Sequence, residues 1–273
     1  MILGPIRTLH HYAHAIEYRL ELLSEVLRAR GMGLPLPEGI ARGVWLNPAR
    51  LDAMVRLLRF VDPREKVALF DAGANTGYWA AQFRSFFPRA VVHAFEPVSE
   101  TYAALERRFA GDASVITHRI GVSDTKRRVE INVADVSTMS SLYSYETTEA
   151  QQEIGFSRRE WIELDTIDSF NLQRTTDKVL LKVDVQGHEL EAVKGARETL
   201  EIIDVVLMEA SFGIEYRGRE PSFPGVCALL AQHGFYPIVF MDFGRARGPY
   251  AYQRDVLFVK KPLVERISAG RPA

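Results

Sequence analysis

The sequence predicts an α/β protein in which a mostly parallel β-sheet is flanked by helices and preceded by a helical N-terminal extension. After Pro63, short apolar runs alternate with amphipathic runs of helical length, a pattern typical of parallel strands joined by right-handed crossovers. The last two apolar runs are separated by a loop without a helix, so they should pair antiparallel. The first 62 residues contain two helical patterns instead.

The composition limits the classes of protein to consider. The chain has 273 residues, of which 47% are hydrophobic and 25% charged, as in an ordinary globular protein of one or two domains. Lys and Arg (34) balance Asp and Glu (35), which argues against a broad nucleic-acid-binding face. No apolar run approaches the roughly 18–20 residues of a membrane span. The single cysteine, Cys227, excludes a disulfide framework within one chain. We therefore expect a soluble, cytoplasmic protein.

The N-terminal extension, residues 1–62, is predicted to be helical. Residues 8–30 carry an apolar stripe at helical spacing, formed by Ile16, Leu20, Leu23 and Leu27. A breaker-rich segment, Leu34–Gly39, separates it from a second amphipathic helix, Pro48–Val61. One helix cannot bury such a stripe alone. We expect it to cap the α/β domain, residues 63–273, or to pair two chains as a homodimer.

The α/β domain is predicted from the order of its strands and helices. Seven main strands are expected at Lys66–Phe70, Val91–Phe95, Ser114–Ile120, Val179–Val183, Ile203–Met208, Phe235–Phe240 and Val256–Val259. Helices are expected at Gly77–Phe87, Ser99–Phe109, His188–Leu200 and Ser222–His233. Residues 121–175 break the alternation, with two further strands at Val129–Val133 and Trp161–Leu164.

The strongest local motif is a loop with two glycines after the first strand. Gly73 and Gly77 let the backbone turn tightly and lie against a ligand. In an open α/β sheet, ligands bind at the carboxyl ends of the strands, where this loop lies. Glu96 ends the neighbouring strand, 19 residues after Gly77, and a carboxylate there can accept the hydroxyls of a ribose.

The loop does not resemble the usual phosphate-binding motifs. Neither Gly-x-Gly-x-x-Gly nor a loop ending in Gly-Lys-Ser/Thr is present. An acidic residue, Asp71, begins the loop, which favours a cationic nucleoside without phosphate, such as S-adenosylmethionine. Alternatives are an enzyme that uses a nucleotide-sugar or NAD on a similar sheet, and a module that binds proteins without catalysis. A methyltransferase for base amines is disfavoured, because no Asn/Asp-Pro-Pro-Tyr/Phe motif occurs.

Four motifs in order resemble the FkbM family of S-adenosylmethionine-dependent methyltransferases. They are Asp71–Tyr78, Phe95–Pro97, Gly121–Asp124 and Leu181–Glu189, and Asp255–Lys261 is similar to the closing strand of the family. The resemblance covers about residues 66–261. It implies a Rossmann-like class I methyltransferase fold, with a mostly parallel seven-stranded sheet whose last strand is antiparallel. It also implies O-methylation of a hydroxyl on a sugar or another small natural product.

The resemblance also implies which residues hold the cofactor. Asp71, Gly73 and Asn75, with Gly77 in the same loop, would contact the methionine part, and Glu96 would bind the ribose. Ser123 and Asp124 would border the adenine, although Asp and Ser also favour plain turns. Ser141, in a polar loop between the third and fourth strands, would contact cofactor or substrate.

Three residues are candidates for the chemical step. Asp184 and Glu209 end two strands that should be neighbours, so their carboxylates are expected to converge. They could hold a hard cation such as Mg²⁺, or one could act as a base with a raised pKa. Alternatively, each acid caps the helix that follows. His188 begins a helix, and its imidazole suits proton abstraction from an acceptor hydroxyl near neutral pH.

Overall fold

The structure, a computed structural model, describes residues 48–145, 155–241, 246–247, 250–251 and 253–269. The helix expected over residues 8–30 and the segment Leu34–Gly39 lie outside the described residues. The described part contains no helix long and apolar enough to cross a membrane.

The helices and strands follow the predicted order. The helices are α1 (Pro48–Leu57), α2 (Tyr78–Phe86), α3 (Ser99–Arg108), α4 (Glu189–Lys194), α5 (Ser222–Gln232) and α6 (Lys261–Ser268). The strands are β1 (Val67–Ala72), β2 (Val91–Phe95), β3 (Val115–His118), β4 (Gly121–Val122), β5 (Arg127–Ala134), β6 (Phe156–Asp165), β7 (Lys178–Val183), β8 (Val205–Ser211), β9 (Phe235–Phe240), β10 (Ala246–Arg247), β11 (Tyr250–Ala251) and β12 (Gln253–Lys260).

Seven strands form the main sheet in the order β3-β2-β1-β7-β8-β12-β9. All neighbouring pairs are parallel except those of β12, which runs antiparallel to both β8 and β9. This confirms the class I methyltransferase fold and the antiparallel last strand of the chain. The carboxyl ends of β2, β1, β7 and β8 therefore meet at one edge of the sheet, where a ligand is expected.

Apolar side chains cover both faces of the main sheet. On one face, residues of α1, α2 and α6 share a core with β1, and on the other α4 and α5 pack against β7 and β8. Met54 and Leu57 of α1 are fully buried in the first core. Helix α1 thus lies before the predicted boundary at residue 62 but contributes to the same core as the sheet.

Some element boundaries differ from the predicted ones. Helix α4 ends at Lys194 rather than Leu200, because Gly195 packs against the backbone of Ser123; a Cβ at Gly195 would lie 1.8 Å from that carbonyl oxygen. Strand β1 extends through Asp71, and β8 extends through Glu209. Both acids are therefore held by strand backbone instead of by flexible loops.

The irregular segment between β3 and β7 forms a second, smaller sheet. Its order is β4-β6-β5, with β5 and β6 antiparallel as expected for a hairpin. Glu160 of β6 fixes this sheet to α3 by accepting hydrogen bonds from the backbone N–H and the hydroxyl of Ser99, both at 2.9 Å. The small sheet is thereby attached to the helix that follows β2.

Candidate functional site

A cleft lies at the carboxyl ends of β1, β2 and β7, between the main sheet and the small sheet. Its walls come from the loop after β1, the end of β2, the loop after β7, the small sheet and the polar loop after β5. Five predicted site residues line it: Gly73, Asn75, Glu96, Asp184 and His188. The other predicted residues, Asp71, Gly77, Ser123, Asp124, Ser141 and Glu209, lie outside the lining of this cleft.

The loop after β1 keeps its shape through left-handed backbone conformations. Gly73 has φ +80°, and a Cβ there would lie 1.9 Å from the carbonyl oxygen of Asp184. Only glycine fits this close approach between the loops after β1 and β7. Asn75 also has a positive φ of 50°, and its side-chain oxygen accepts a hydrogen bond from the N–H of Thr76 at 2.8 Å. The short polar side chain makes this conformation tolerable.

Gly77 has a different role from Gly73. It begins α2 with φ +79°, and a Cβ there would lie 2.6 Å from Phe109 and 2.7 Å from Leu105. Gly77 is therefore required by the packing of α2 against the end of α3. It shapes the loop from behind and does not face the cleft.

Asp71 is fully buried in β1 and forms an ion pair that the sequence analysis missed. Its carboxylate lies 2.9 Å from Nζ of Lys182, its direct neighbour on β7. Burial raises the pKa of Asp71, and the cation of Lys182 opposes that rise. Lys182 also donates to the carbonyl of Gly73 at 3.2 Å and lies 3.8 Å from the carboxylate of Asp184. The sequence contained one indication of this ion pair: a lysine within an apolar parallel strand, because a buried lysine is almost always paired.

Glu96 is buried in the cleft wall and holds the surrounding backbone. One oxygen, Oε2, accepts the N–H of Asn75 at 2.9 Å. The other, Oε1, accepts the N–H of Val98 at 3.0 Å and the hydroxyl of Thr101 at 2.9 Å. Burial raises the pKa of Glu96, while these hydrogen bonds lower it. Glu96 thus ties the loop after β1 to the end of β2.

Asp184 and Glu209 converge as expected, but a glutamine amide joins them. Strands β7 and β8 are parallel neighbours, with Val183 beside Met208. Nε2 of Gln186 donates to Asp184 and to Glu209, each at 2.8 Å. Burial and the nearby carboxylates, Asp184 first, raise the pKa of Glu209 well above its usual value.

This arrangement does not support the magnesium prediction. The two N–H groups of the Gln186 amide are directed at the oxygens that a cation would need. Within the described residues, no group of three or more His, Cys, Asp and Glu side chains is arranged to hold a metal ion. Two carboxylates already bridged by an amide donor are a poor donor set for a hard cation, which prefers about six oxygen ligands. Gln186, with φ +52°, was not among the predicted site residues.

His188 is buried at the start of α4, and both ring nitrogens have partners. Nδ1 lies 2.7 Å from the hydroxyl of Tyr143, and Nε2 lies 2.9 Å from the hydroxyl of Ser123. Burial lowers the pKa of His188 to about 4, so the imidazole is neutral near pH 7. Ser123 is fully buried behind the histidine, and Asp124 is bound by Arg127 at 2.9 Å. Gly121 and Val122 line the cleft at this end instead.

Ser141 joins two loops beside the cleft. Its hydroxyl donates to the carbonyl of Gln186 at 2.6 Å and accepts the N–H of Tyr143 at 3.1 Å. Its neighbours Ser140 and Leu142 line the cleft, whereas Ser141 is buried between the loop after β5 and the loop after β7. Ser141 therefore positions the polar loop.

Comparison with known proteins is consistent with this geometry. Hexuronic acid methyltransferase AglP of Haloferax volcanii is 27% identical over 163 residues, which cover 59% of this chain and 63% of that protein. The 2-O-methyltransferase NoeI of Sinorhizobium fredii is 24% identical over 177 residues, which cover 62% of this chain and 71% of that protein. The chain thus matches slightly less than two thirds of the length of AglP. The model of the methyltransferase FkbM domain matches residues 71–237, from the end of β1 into β9. Because that match covers more than half of the chain, the chain belongs to the FkbM methyltransferase family.

Proposed function

We propose that this protein transfers a methyl group from S-adenosylmethionine to a hydroxyl of a small molecule, with sugars as the first acceptor class. The observation that carries the proposal is Glu96, a buried carboxylate at the carboxyl end of β2, in one cleft with the Gly73 loop and Asp184. The names of two relatives, a hexuronic acid methyltransferase and a 2-O-methyltransferase, support a hydroxylated sugar as acceptor.

The cleft fits this cofactor in chemistry. Apolar side chains suited to an adenine ring line the end near the small sheet, namely Val98, Leu142, Ile162 and Leu164. A carboxylate has about four acceptor positions, and three protein donors occupy three of them on Glu96. The remaining position, on Oε2, is available for a ribose hydroxyl.

When bound, S-adenosylmethionine supplies an electrophilic methyl group, and the residues of the chain position and deprotonate the acceptor. Gly73 and Asn75 would lie against the methionine part, and Gly121 and Val122 against the adenine. Asp71 would act from behind the cleft by holding Lys182. Ser123 and Asp124 would likewise hold His188 in position. Asp184, in the cleft wall at the end of β7, would contact the reacting groups, with Glu209 supporting it through Gln186. Much of the rate enhancement is expected to come from orienting the two reactants.

Calorimetry with S-adenosylhomocysteine tests the cofactor site. Glu96→Ala should weaken binding by about 1.5–3 kcal/mol, because a hydrogen bond to a charged group is lost. The matched control is Glu100→Ala, which removes an exposed carboxylate outside the cleft and should bind normally. NAD and UDP-glucose, titrated in parallel, represent the alternative cofactors. Unchanged affinity in Glu96→Ala, or tighter binding of NAD, would contradict the proposal.

Mass spectrometry of acceptor reactions tests the transfer. Methyl β-D-glucuronide and methyl β-D-glucoside form a matched pair that differs in one carboxylate, and a gain of one CH₂ unit identifies methylation. We expect Asp184→Asn to abolish turnover while affinity for S-adenosylhomocysteine stays within about tenfold, or ~1.4 kcal/mol. Turnover of Asp184→Asn at the wild-type rate would remove Asp184 from the chemical step.

A further inference from the structure

A series of hydrogen bonds that includes His188, a residue of the cleft wall, runs to the protein surface behind it. It connects Tyr143 to His188 at 2.7 Å, His188 to Ser123 at 2.9 Å and Ser123 to Asp124 at 3.1 Å. Arg127 binds the far end, Asp124, at 2.9 Å. Ser123 and His188 are buried, whereas the carboxylate of Asp124 is one-third exposed.

The direction of each hydrogen bond follows from the ionisation state of Asp124, at the far end of the series. Burial raises the pKa of Asp124, but the hydrogen bonds of Arg127 and Ser123 outweigh it and lower that pKa. An ionised carboxylate only accepts, so the hydroxyl of Ser123 must donate to Asp124. Because the Ser123 hydroxyl donates its only proton to Asp124, its oxygen accepts a hydrogen bond from Nε2–H of His188. The neutral imidazole carries one N–H, so its Nδ1 is the acceptor of the Tyr143 hydroxyl.

Tyr143 lies beside two residues that line the cleft. It directly follows Leu142 in the polar loop after β5, and its hydroxyl contacts His188. Arg219, from the loop after β8, covers its ring at 4.5 Å and is itself held by Glu191 at 2.7 Å. The Tyr143 side chain is only partly buried. Because its hydroxyl already donates to His188, the oxygen keeps a free lone pair that can accept a hydrogen bond from a substrate hydroxyl.

We propose that Tyr143 is a catalytic residue that accepts the proton of the substrate hydroxyl and passes it through His188 and Ser123 to Asp124. This inference rests on the proposed methyl transfer to a hydroxyl. The substrate proton moves to Oη of Tyr143 as the Tyr143 proton moves to Nδ1. The Nε2 proton moves to Ser123, and the Ser123 proton moves to the Asp124 carboxylate. The electron pair of the broken O–H bond would stay on the substrate oxygen, which would bond the methyl carbon as the methyl–sulfur bond of the cofactor breaks and its electron pair returns to sulfur.

A relay suits this site better than a single histidine base. Burial lowers the pKa of His188 to about 4, so a lone imidazolium would be unstable here. The raised pKa of Tyr143, about 12, likewise disfavours a lone phenolate. In the relay each of the two groups loses a proton as it gains one, so neither becomes charged. The proton ends on a partly exposed carboxylate, from which it can reach water.

Nitrogen-15 NMR of labelled histidine, with S-adenosylhomocysteine bound at pH 7, tests the hydrogen-bond directions. His188→Gln identifies the signals, and the wild type should show a neutral ring with the proton on Nε2. Ser123→Ala should move the proton to Nδ1, because Nε2 then loses its acceptor whereas Nδ1 keeps the Tyr143 oxygen at 2.7 Å and Glu191 at 3.6 Å. The control Tyr236→Phe, at an exposed position on β9, should leave the tautomer unchanged. A wild-type imidazolium, or a wild-type ring with its proton on Nδ1, would overturn the proposal.

Turnover of whichever of the two glycosides the wild type methylates separates a catalytic role from a structural one. Tyr143→Phe and Ser123→Ala should each lower turnover by about 10²–10⁴-fold, with affinity for S-adenosylhomocysteine within about tenfold of wild type. Tyr236→Phe should turn over normally. Tyr143→Phe turnover within twofold of wild type would overturn the relay while the proposed function stands. If the wild type binds S-adenosylhomocysteine but methylates no glycoside, the proposed function fails and the relay with it, whereas the NMR still decides the hydrogen-bond directions.

Discussion

Single residues decide how close the loops of the cleft can come. Gly73 and Gly111 have nearly the same left-handed conformation, with φ +80° and +82°. They differ in surroundings, because a Cβ at Gly73 would lie 1.9 Å from a backbone oxygen, whereas a Cβ at Gly111 would meet nothing within 4 Å. The first glycine is required by contact between two loops, and the second by local conformation alone.

This pair of glycines gives a matched test. Gly111→Ala should lower the free energy of unfolding by about 1–2 kcal/mol, the cost of a left-handed conformation for a residue with a Cβ. Gly73→Ala carries that cost and must also displace the backbone of Asp184, so it should be more destabilising and should weaken S-adenosylhomocysteine binding. Urea denaturation and calorimetry measure the two effects. Equal destabilisation by both substitutions would show that the loops after β1 and β7 are not in contact.

At the scale of elements, several buried polar groups lie at the start of α4. Gly187 has φ +96°, and a Cβ there would lie 2.6 Å from Tyr216, so the loop after β8 packs directly on this turn. Glu189 accepts the N–H of Gly187 at 2.8 Å and is almost fully buried. Burial raises the pKa of Glu189 to about 7. The short helix therefore carries an acid that resists ionisation.

The raised pKa of Glu189 predicts a pH-dependent stability. The folded-state pKa lies above the usual 4.5, so the stabilising contribution is fully present below about pH 4.5 and is lost as the pH rises through 7. Glu189→Gln removes this titration. Relative to wild type, its free energy of unfolding should improve by up to about 3 kcal/mol between pH 4.5 and pH 8. The exposed Glu198→Gln is the control, and urea denaturation at each pH provides the measurement. A difference independent of pH would contradict the raised pKa.

At the scale of the whole molecule, the main sheet is stabilised by cores on both faces. Helix α1 and the residues that directly follow it belong to one of these cores, since Met54, Leu57, Phe60 and Val61 are buried with β1 and α2. The predicted N-terminal extension, residues 1–62, thus includes a helix that packs with the sheet. Its first predicted helix, residues 8–30, lies outside the described residues.

Two truncations separate the contribution of α1 from that of residues 1–47. Removal of residues 1–47 should leave a folded α/β domain, because α1 and both cores are retained. Removal of residues 1–62 should abolish cooperative unfolding or cause aggregation, since burying each large apolar side chain of α1 contributes about 1.5–3 kcal/mol. Light scattering separates the two expected roles of the extension: if it pairs two chains, the full chain should have the mass of two chains and the chain without residues 1–47 the mass of one. An identical association state in both would exclude pairing through residues 1–47.

The sequence by itself determined the fold class and the order of the strands in the chain, and it placed the glycine loop, Glu96 and Asp184 at the carboxyl ends of strands. These follow from patterns read within one segment at a time, namely hydrophobic period, helix length and turn residues. Only the tertiary structure decided that Lys182 pairs with Asp71, that Gln186 joins Asp184 to Glu209, and that Ser123 lies behind His188. Those contacts depend on the register between strands and on loop packing across distant parts of the chain. A local pattern contains no information about which side chain will lie opposite another, because that choice is made by the packing free energy of the whole sheet.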